Sequence, residues 1–323
     1  MGVSRFLYIE IQKDVKLSEY TTFKIGGKAK YFFIAKKRED IFESISWAKN
    51  NEEKFFILGG GSNALFSDEG FEGLVIKLDF KNVDVKKNII LADAGVKISA
   101  LIEIFRKNSF EGLEWASGIP GITLGGAIRG NAGAFGKSIS DLVRWVEAVN
   151  TKTLGRVSEN LFENYDKLSK KECDFRYRTS LFKERNDYAI LSAGLEMKKG
   201  DRKIIEEKIK NIAQIRNEKQ PLGYPNAGSI FKNAVYAKEY CTRDFPNEFI
   251  KTGVIPAGWL IERCGLKGEK KGDAMISVQH ANIIVNLGKA KAKDVLGLIE
   301  LAEKEVKKKF GIELEKEIEA VSY

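Results

Sequence analysis

Two clusters of glycine, each set behind strand-like sequence, constrain this chain more than any other feature. The first follows the apolar run Phe55-Phe56-Ile57-Leu58 and reads Gly59-Gly60-Gly61-Ser62-Asn63. The second begins Gly118-Ile119-Pro120-Gly121, passes through Thr123 to Gly125-Gly126-Ala127, and continues to Asn131-Ala132-Gly133. Lacking Cβ, glycine lets backbone approach something closely where a larger side chain would obstruct it. Glycines after a strand also let amide N–H groups converge on one point, and Ser62 and Asn63 add donors. That is how a pyrophosphate is cradled. The spacing matches neither the dinucleotide fingerprint that leads into a helix nor the lysine-bearing phosphate loop. Singly, the first cluster also reads as an ordinary tight turn, and the second as a small-residue helix packed on a neighbour. Together they point to a long ligand with phosphates and a flat ring.

The 323 residues leave room for two or three domains with their own cores. A net charge of +9 raises a nucleic-acid reading. The lysines, however, are spread in short runs such as Lys36-Lys37, Lys86-Lys87, Lys198-Lys199 and Lys270-Lys271, each near acids. That pattern fits a solvated surface of ion pairs, and the field of a basic chain also concentrates an anionic small substrate. No apolar run approaches the length of a membrane span. The N-terminal stretch 1–13 has no apolar core of signal-peptide type. Cys173, Cys241 and Cys264 are odd in number and widely spaced, and His280 is the single histidine. Three free thiols in a reducing cytoplasm are expected, with no metal site.

Strands are expected over 29–35, 55–58, 74–78, 89–92, 141–149 and 188–197, where apolar residues alternate or run together. Helices are expected over 39–50, 99–107, 201–217 and 293–309, from apolar residues at helical spacing, and from 257 to 268, closed by Gly265 and Gly268. Phe175-Arg176-Tyr177-Arg178-Thr179-Ser180 reads as a strand whose two arginines share a face, so that Arg178 is suited to clamp a carboxylate. The residues 276–287 read as a strand ending in a turn, with His280 either structural or functional. In the tail, 314–319 reads as a short strand with Glu315, Glu317 and Glu319 on one side, by default a solvated acidic edge. Gly228-Ser229-Ile230-Phe231-Lys232-Asn233 follows an irregular loop. Ser229 is there either a turn cap or a hydroxyl fixed against apolar walls, fit to donate a proton where negative charge develops.

In combination these motifs resemble the family of UDP-N-acetylenolpyruvoylglucosamine reductases, flavin enzymes of bacterial cell-wall precursor synthesis. The matching segments are 22–27, 58–63, 118–136, 177–183, 226–233, 257–268, 280–286 and 314–318, in the family's order. The short span from Arg178 to Ser229 resembles the type II form. The resemblance implies an α+β fold. A two-part FAD-binding region of the PCMH/vanillyl-alcohol-oxidase type would occupy 1–80 and 81–219, followed by a C-terminal α+β substrate-binding domain over 220–323. It implies bound FAD, with Gly59, Gly60, Gly61, Ser62, Asn63, Gly118, Pro120, Gly121, Thr123, Gly125, Gly126, Asn131 and Gly133 holding it. It implies NADPH as co-substrate and UDP-N-acetylglucosamine enolpyruvate as substrate, reduced to UDP-N-acetylmuramate by a cytoplasmic monomer that binds neither nucleic acid nor membrane. Arg178 matches the arginine that stabilises developing negative charge, Ser229 the proton donor, and Glu317 the assisting carboxylate. Lys219, Asn233, Lys267 and His280 match substrate- or nucleotide-contacting positions. Three departures from the family pattern stand out: a 121–125 loop longer by about one residue, Gly130 in place of a larger residue, and Glu319 where relatives often carry arginine.

Overall fold

The computed structural model describes residues 9–154, 165–237 and 245–321. Cys241 and residues 1–8 of the N-terminal stretch lie outside them. The described chain groups into two compact units that interleave in sequence. One comprises Met1–Val15, Ala29–Gly60 and Phe71–Gln214; the other comprises Lys16–Lys28, Gly61–Gly70 and Ile215–Tyr323. The sequence expectation ran consecutively instead, with boundaries at 80 and 219.

In the first unit, Ile41, Phe42, Ile45 and Ala48 recur at helical spacing and are all buried along the helix Glu39–Asn50. They pack on Phe33, Ala35, Leu74 and Ile76 of a four-stranded sheet. Its strands lie in the order Gln12–Lys16, Lys28–Ala35, Phe71–Leu78, Phe55–Leu58. The last three are parallel, with Leu58 in register with Lys77. Strand Phe71–Leu78 is nearly continuous in apolar residues because both its neighbours are strands and the helix covers one face.

A five-stranded antiparallel sheet completes this unit, in the order Asp166–Ser169, Val143–Asn150, Tyr188–Glu196, Ile89–Asp93, Val83–Lys86. A Cβ at Gly194 would lie 2.4 Å from the Trp145 ring of the next strand, so only glycine admits the indole there. Helices Ile98–Lys107 and Leu124–Arg129 contribute Leu101, Phe105, Leu124 and Ile128 to the same core. Arg38, at the start of the first helix, donates to Asp93 Oδ1 at 3.0 and 3.1 Å and to Glu147 Oε2 at 3.0 Å. Both carboxylates are buried, so this pairing ties the helix to the five-stranded sheet.

In the second unit, an antiparallel sheet runs Asn226–Ser229, Ile283–Asn286, Ala274–Ile276, Lys270–Lys271. The helix Ala292–Phe310 covers it with Val295, Leu298, Ile299, Ala302 and Val306, all buried. Its N-terminus is capped from a distant segment: Asp68 Oδ1 accepts the Ala292 N–H at 2.8 Å and Oδ2 the Lys293 N–H at 3.1 Å. Gly311 ends it with φ of 63°. The strand Glu319–Val321 pairs in parallel with Ala64–Phe66.

Three local expectations are corrected. Residues 175–180 form a tight turn closed by an Arg176–Thr179 bridge, with Arg178 at φ 55°, so the two arginines do not share a strand face. Strand structure in the tail begins only at Glu319; the residues before it make a single bridge, Lys316 to Phe231. His280 lies in the turn between strands Ala274–Ile276 and Ile283–Asn286. Cys173 and Cys264 are free, and burial pushes the Cys173 thiol up to about 12. Among the described residues no helix is long and apolar enough to cross a membrane.

Candidate active site

Gly59 and Gly60, the part of the first cluster in the first unit, meet the second cluster there. A Cβ at Gly60 would lie 1.7 Å from the Gly121 carbonyl oxygen, and one at Gly59 would lie 2.7 Å from Thr123 Oγ1. Gly121, at φ 68°, makes the turn that permits this approach. Thr123 is 2% exposed, and its hydroxyl has no hydrogen-bond partner among the described residues. A buried hydroxyl left open beside two stretches of bare backbone is what a polar ligand's atoms would satisfy. These residues therefore fit a phosphate-bearing cofactor. The alternative reading of the second cluster also holds in part: Gly125 is the second residue of the short helix Leu124–Arg129, where its missing Cβ would lie 2.9 Å from Ala94 Cβ.

Other glycine-cluster residues are engaged differently. Asn131 Nδ2 donates to the Arg176 carbonyl at 2.9 Å, and Gly133 O accepts from Arg178 Nη2 at 2.8 Å. Both thus brace the arginine turn, and the half-buried Arg178 guanidinium is pinned at one corner. Gly118 and Pro120 are exposed, while Gly126 lies beside Thr123.

In the second unit the serine stretch is held from both sides. Ser229 ends a strand with Ile283 opposite it, after a register shift at Gly228, whose φ is 72°. On one side Asn282 takes both backbone groups of Phe231: its Oδ1 accepts the N–H at 2.9 Å and its Nδ2 donates to the carbonyl at 2.8 Å. The Asn282 carbonyl accepts the Ile230 N–H at 2.9 Å. On the other side the Glu317 N–H donates to the Ile230 carbonyl at 2.8 Å, and the Lys232 N–H to the Glu315 carbonyl at 2.8 Å. Ser229 and Glu317, both half-buried, are thereby fixed as neighbours through Ile230. Asn63 closes the arrangement, donating to the Glu317 carbonyl at 3.0 Å and accepting the Glu319 N–H at 3.0 Å. Gly61, at φ 66°, packs its α-carbon on the Tyr20 carbonyl, and Thr22 donates to the Asn226 carbonyl at 2.8 Å.

The other expected contacts lie within this unit. Lys219 is exposed at the end of helix Arg202–Lys219. Asn233 Oδ1 accepts the Ala257 N–H at 3.2 Å, at the first residue of helix Ala257–Arg263. Lys267 pairs with Glu262 at 2.7 Å. His280 accepts the Asn282 N–H on Nδ1 at 3.3 Å. Burial first, and the Lys267 ammonium next, hold its imidazole below the ordinary 6.5. Sequence reasoning missed Asn282 and Lys77. Asn282 holds a segment remote in sequence, and Lys77, which donates to the Gly59 carbonyl, looks like any polar interruption of a strand.

Residues 29–157 match the family model of an FAD binding domain, and residues 220–321 that of the C-terminal domain of UDP-N-acetylenolpyruvoylglucosamine reductase. Gly59, Gly60, Gly121 and Thr123 fall in the first match and Ser229 and Glu317 in the second, which defines the class as a flavin-binding protein of two-part α+β build. Over 319 residues the chain is 39% identical to UDP-N-acetylenolpyruvoylglucosamine reductase of Caldanaerobacter subterraneus subsp. tengcongensis, covering 97% of this chain and 96% of the relative. It is 40% identical over 318 residues to that of Caldicellulosiruptor bescii, covering 97% and 91% respectively. The crystal structure of the Thermus caldophilus reductase matches with a TM-score of 0.74 at 29% identity, over 98% of this chain and 100% of that one. The chain belongs to the UDP-N-acetylenolpyruvoylglucosamine reductase family.

Proposed function

We propose that this protein reduces UDP-N-acetylglucosamine enolpyruvate to UDP-N-acetylmuramate in peptidoglycan precursor synthesis, with NADPH as reductant and FAD as resident cofactor. The observation that carries this reading is the family relationship over nearly the whole chain, with the glycine cradle and the serine strand each inside its own family model. When bound, FAD supplies a carrier able to take a hydride from NADPH and deliver it to the enolpyruvyl double bond.

The side chains then have separate tasks. Hydride addition to one carbon of the double bond leaves an electron pair on the other, delocalised into the adjacent carboxylate. Arg178, braced by Gly133, supplies a fixed cation for that charge. Ser229 gives its hydroxyl proton to the carbon that carries the electron pair, and Glu317, held beside it through Ile230, assists that transfer. Thr123, Gly59, Gly60 and Gly121 hold the cofactor's diphosphate, and Gly61, Ser62, Gly118, Pro120, Gly125, Gly126 and the two asparagines Asn63 and Asn131 shape the surrounding loops. Lys219, Asn233, Lys267 and His280 contact the substrate. FAD-binding parts over 1–80 and 81–219 and a substrate part over 220–323 complete the assignment, in a monomer whose free thiols suit the cytoplasm.

The test is the visible spectrum of the purified protein under anaerobic conditions. Flavin bands that bleach on NADPH and return on the enolpyruvyl substrate are expected. A colourless protein that stays so when offered FAD, or bands that substrate does not restore, overturns the reading.

A further inference from the structure

Lys77 lies on a strand neighbouring the glycine cradle, and its ammonium reaches the backbone at the cradle's floor. It sits on Phe71–Leu78 in parallel register with Leu58, the last residue before the glycines, and its Nζ donates to the Gly59 carbonyl. Peptide bonds are trans throughout the described residues, so in the 59–60 peptide the carbonyl and the Gly60 N–H point in opposite directions. With Lys77 on the carbonyl, the Gly60 N–H faces away from the strand.

We propose that Lys77 is a positioning residue for the cofactor: it aims the Gly59–Gly60 peptide so that the Gly60 N–H is presented to the anionic diphosphate that the cradle holds. This rests on the FAD reading above. A cation on the carbonyl polarises the whole peptide unit and strengthens its N–H as a donor, since hydrogen bonds in series reinforce one another at low dielectric. The open Thr123 hydroxyl beside Gly59 marks the same cradle as built for a polar ligand. Burial pushes the Lys77 ammonium down to about 8. Asp79 opposes that shift, while Lys81 and Lys97 add to it, so these are the charges that face the amine. Lys97 bridges to Thr123, which sets it beside the same loop. A diphosphate favours the protonated amine, and the loop loses that help once the pH rises past the point where the free protein gives up the proton.

Full-length protein stripped of flavin and titrated with FAD, with binding read by flavin fluorescence, tests this at about pH 7 and about pH 9. Lys77→Met is expected to raise Kd about tenfold at the lower pH, with the wild type moving towards the variant at the higher one. Lys77→Arg retains affinity at both. Lys77→Gln, which keeps a donor without the charge, is expected to fall between and to lack the pH dependence. Thermal melting of the flavin-free Met variant no lower than the wild type excludes a folding defect, since a buried charge has been removed. A Met variant that binds FAD as the wild type does at both pH values, or one weakened by the same factor at both, overturns the proposal. A wild type that takes up no FAD instead brings down the reading on which it rests.

Discussion

The cradle of the first unit and the serine strand of the second are built on opposite principles. The cradle is made of absence: Gly59, Gly60 and Gly121 approach one another because none has a side chain, and the chemistry falls to amides and one hydroxyl. The serine strand is made of side chains that clamp backbone, with Asn282 on one flank and the Asn63–Glu317 pair on the other. A site of bare backbone tolerates no added atom. A clamped site tolerates no lost one.

The strongest challenge to this contrast is Ser229→Ala. It is expected to slow the return of flavin bands on substrate by about 10²- to 10⁴-fold while NADPH still bleaches them. Equal loss in both half-reactions by stopped-flow would take Ser229 out of the proton transfer. Next is Asn282→Ala, which strips partners from both backbone groups of buried Phe231 and should cost about 2–4 kcal/mol in urea unfolding. A loss below about 0.5 kcal/mol, the level of an ordinary surface change, would show that the clamp is dispensable. On the other side of the comparison, Gly60→Ala drives a methyl group into the Gly121 carbonyl. Moving backbone to admit it costs about 1–3 kcal/mol, so FAD affinity should drop about 10- to 100-fold, read by fluorescence titration. Unchanged affinity would mean that the two loops need not touch.

The smallest effect concerns His280, whose imidazole is held below its ordinary 6.5. Above that pH it is neutral in folded and unfolded chains alike. Below it the unfolded chain takes up the proton first, so His280 lowers stability as the pH falls. His280→Gln should therefore lose less Tm than the wild type between about pH 7 and about pH 5. Parallel Tm curves would remove His280 as a source of the slope.

Regular elements were legible where burial follows one period. The helix Glu39–Asn50 has the expected bounds, and strands such as Lys28–Ala35 and Tyr188–Glu196 agree within a residue or so. The arginine stretch misled because alternation of Arg and aromatic residues mimics a strand. What decides its shape is a positive φ at Arg178 and a carbonyl held by Asn131, neither visible locally. The tail misled in the same way: Leu314 and Ile318 are buried at alternate-compatible positions, yet the backbone partners lie in 230–232 and at Asn63. The glycine cradle was legible as composition. The contact of Ser229 with its flanks was not, since nothing near Asn282 in sequence marks it as the holder of Phe231.

The pairing of Glu319–Val321 with Ala64–Phe66 sets an order on synthesis. A ribosome makes the Ala64–Phe66 strand long before its partner. Segments 16–28 and 61–70 must wait until the residues from Ile215 onward have been made before their unit can close. Long-range closure of this kind is slow and leaves apolar strands exposed meanwhile. A chain from which Glu319–Val321 has been removed would leave Ala64–Phe66 without this partner, so that deletion should be felt first as failed maturation rather than as weakened chemistry.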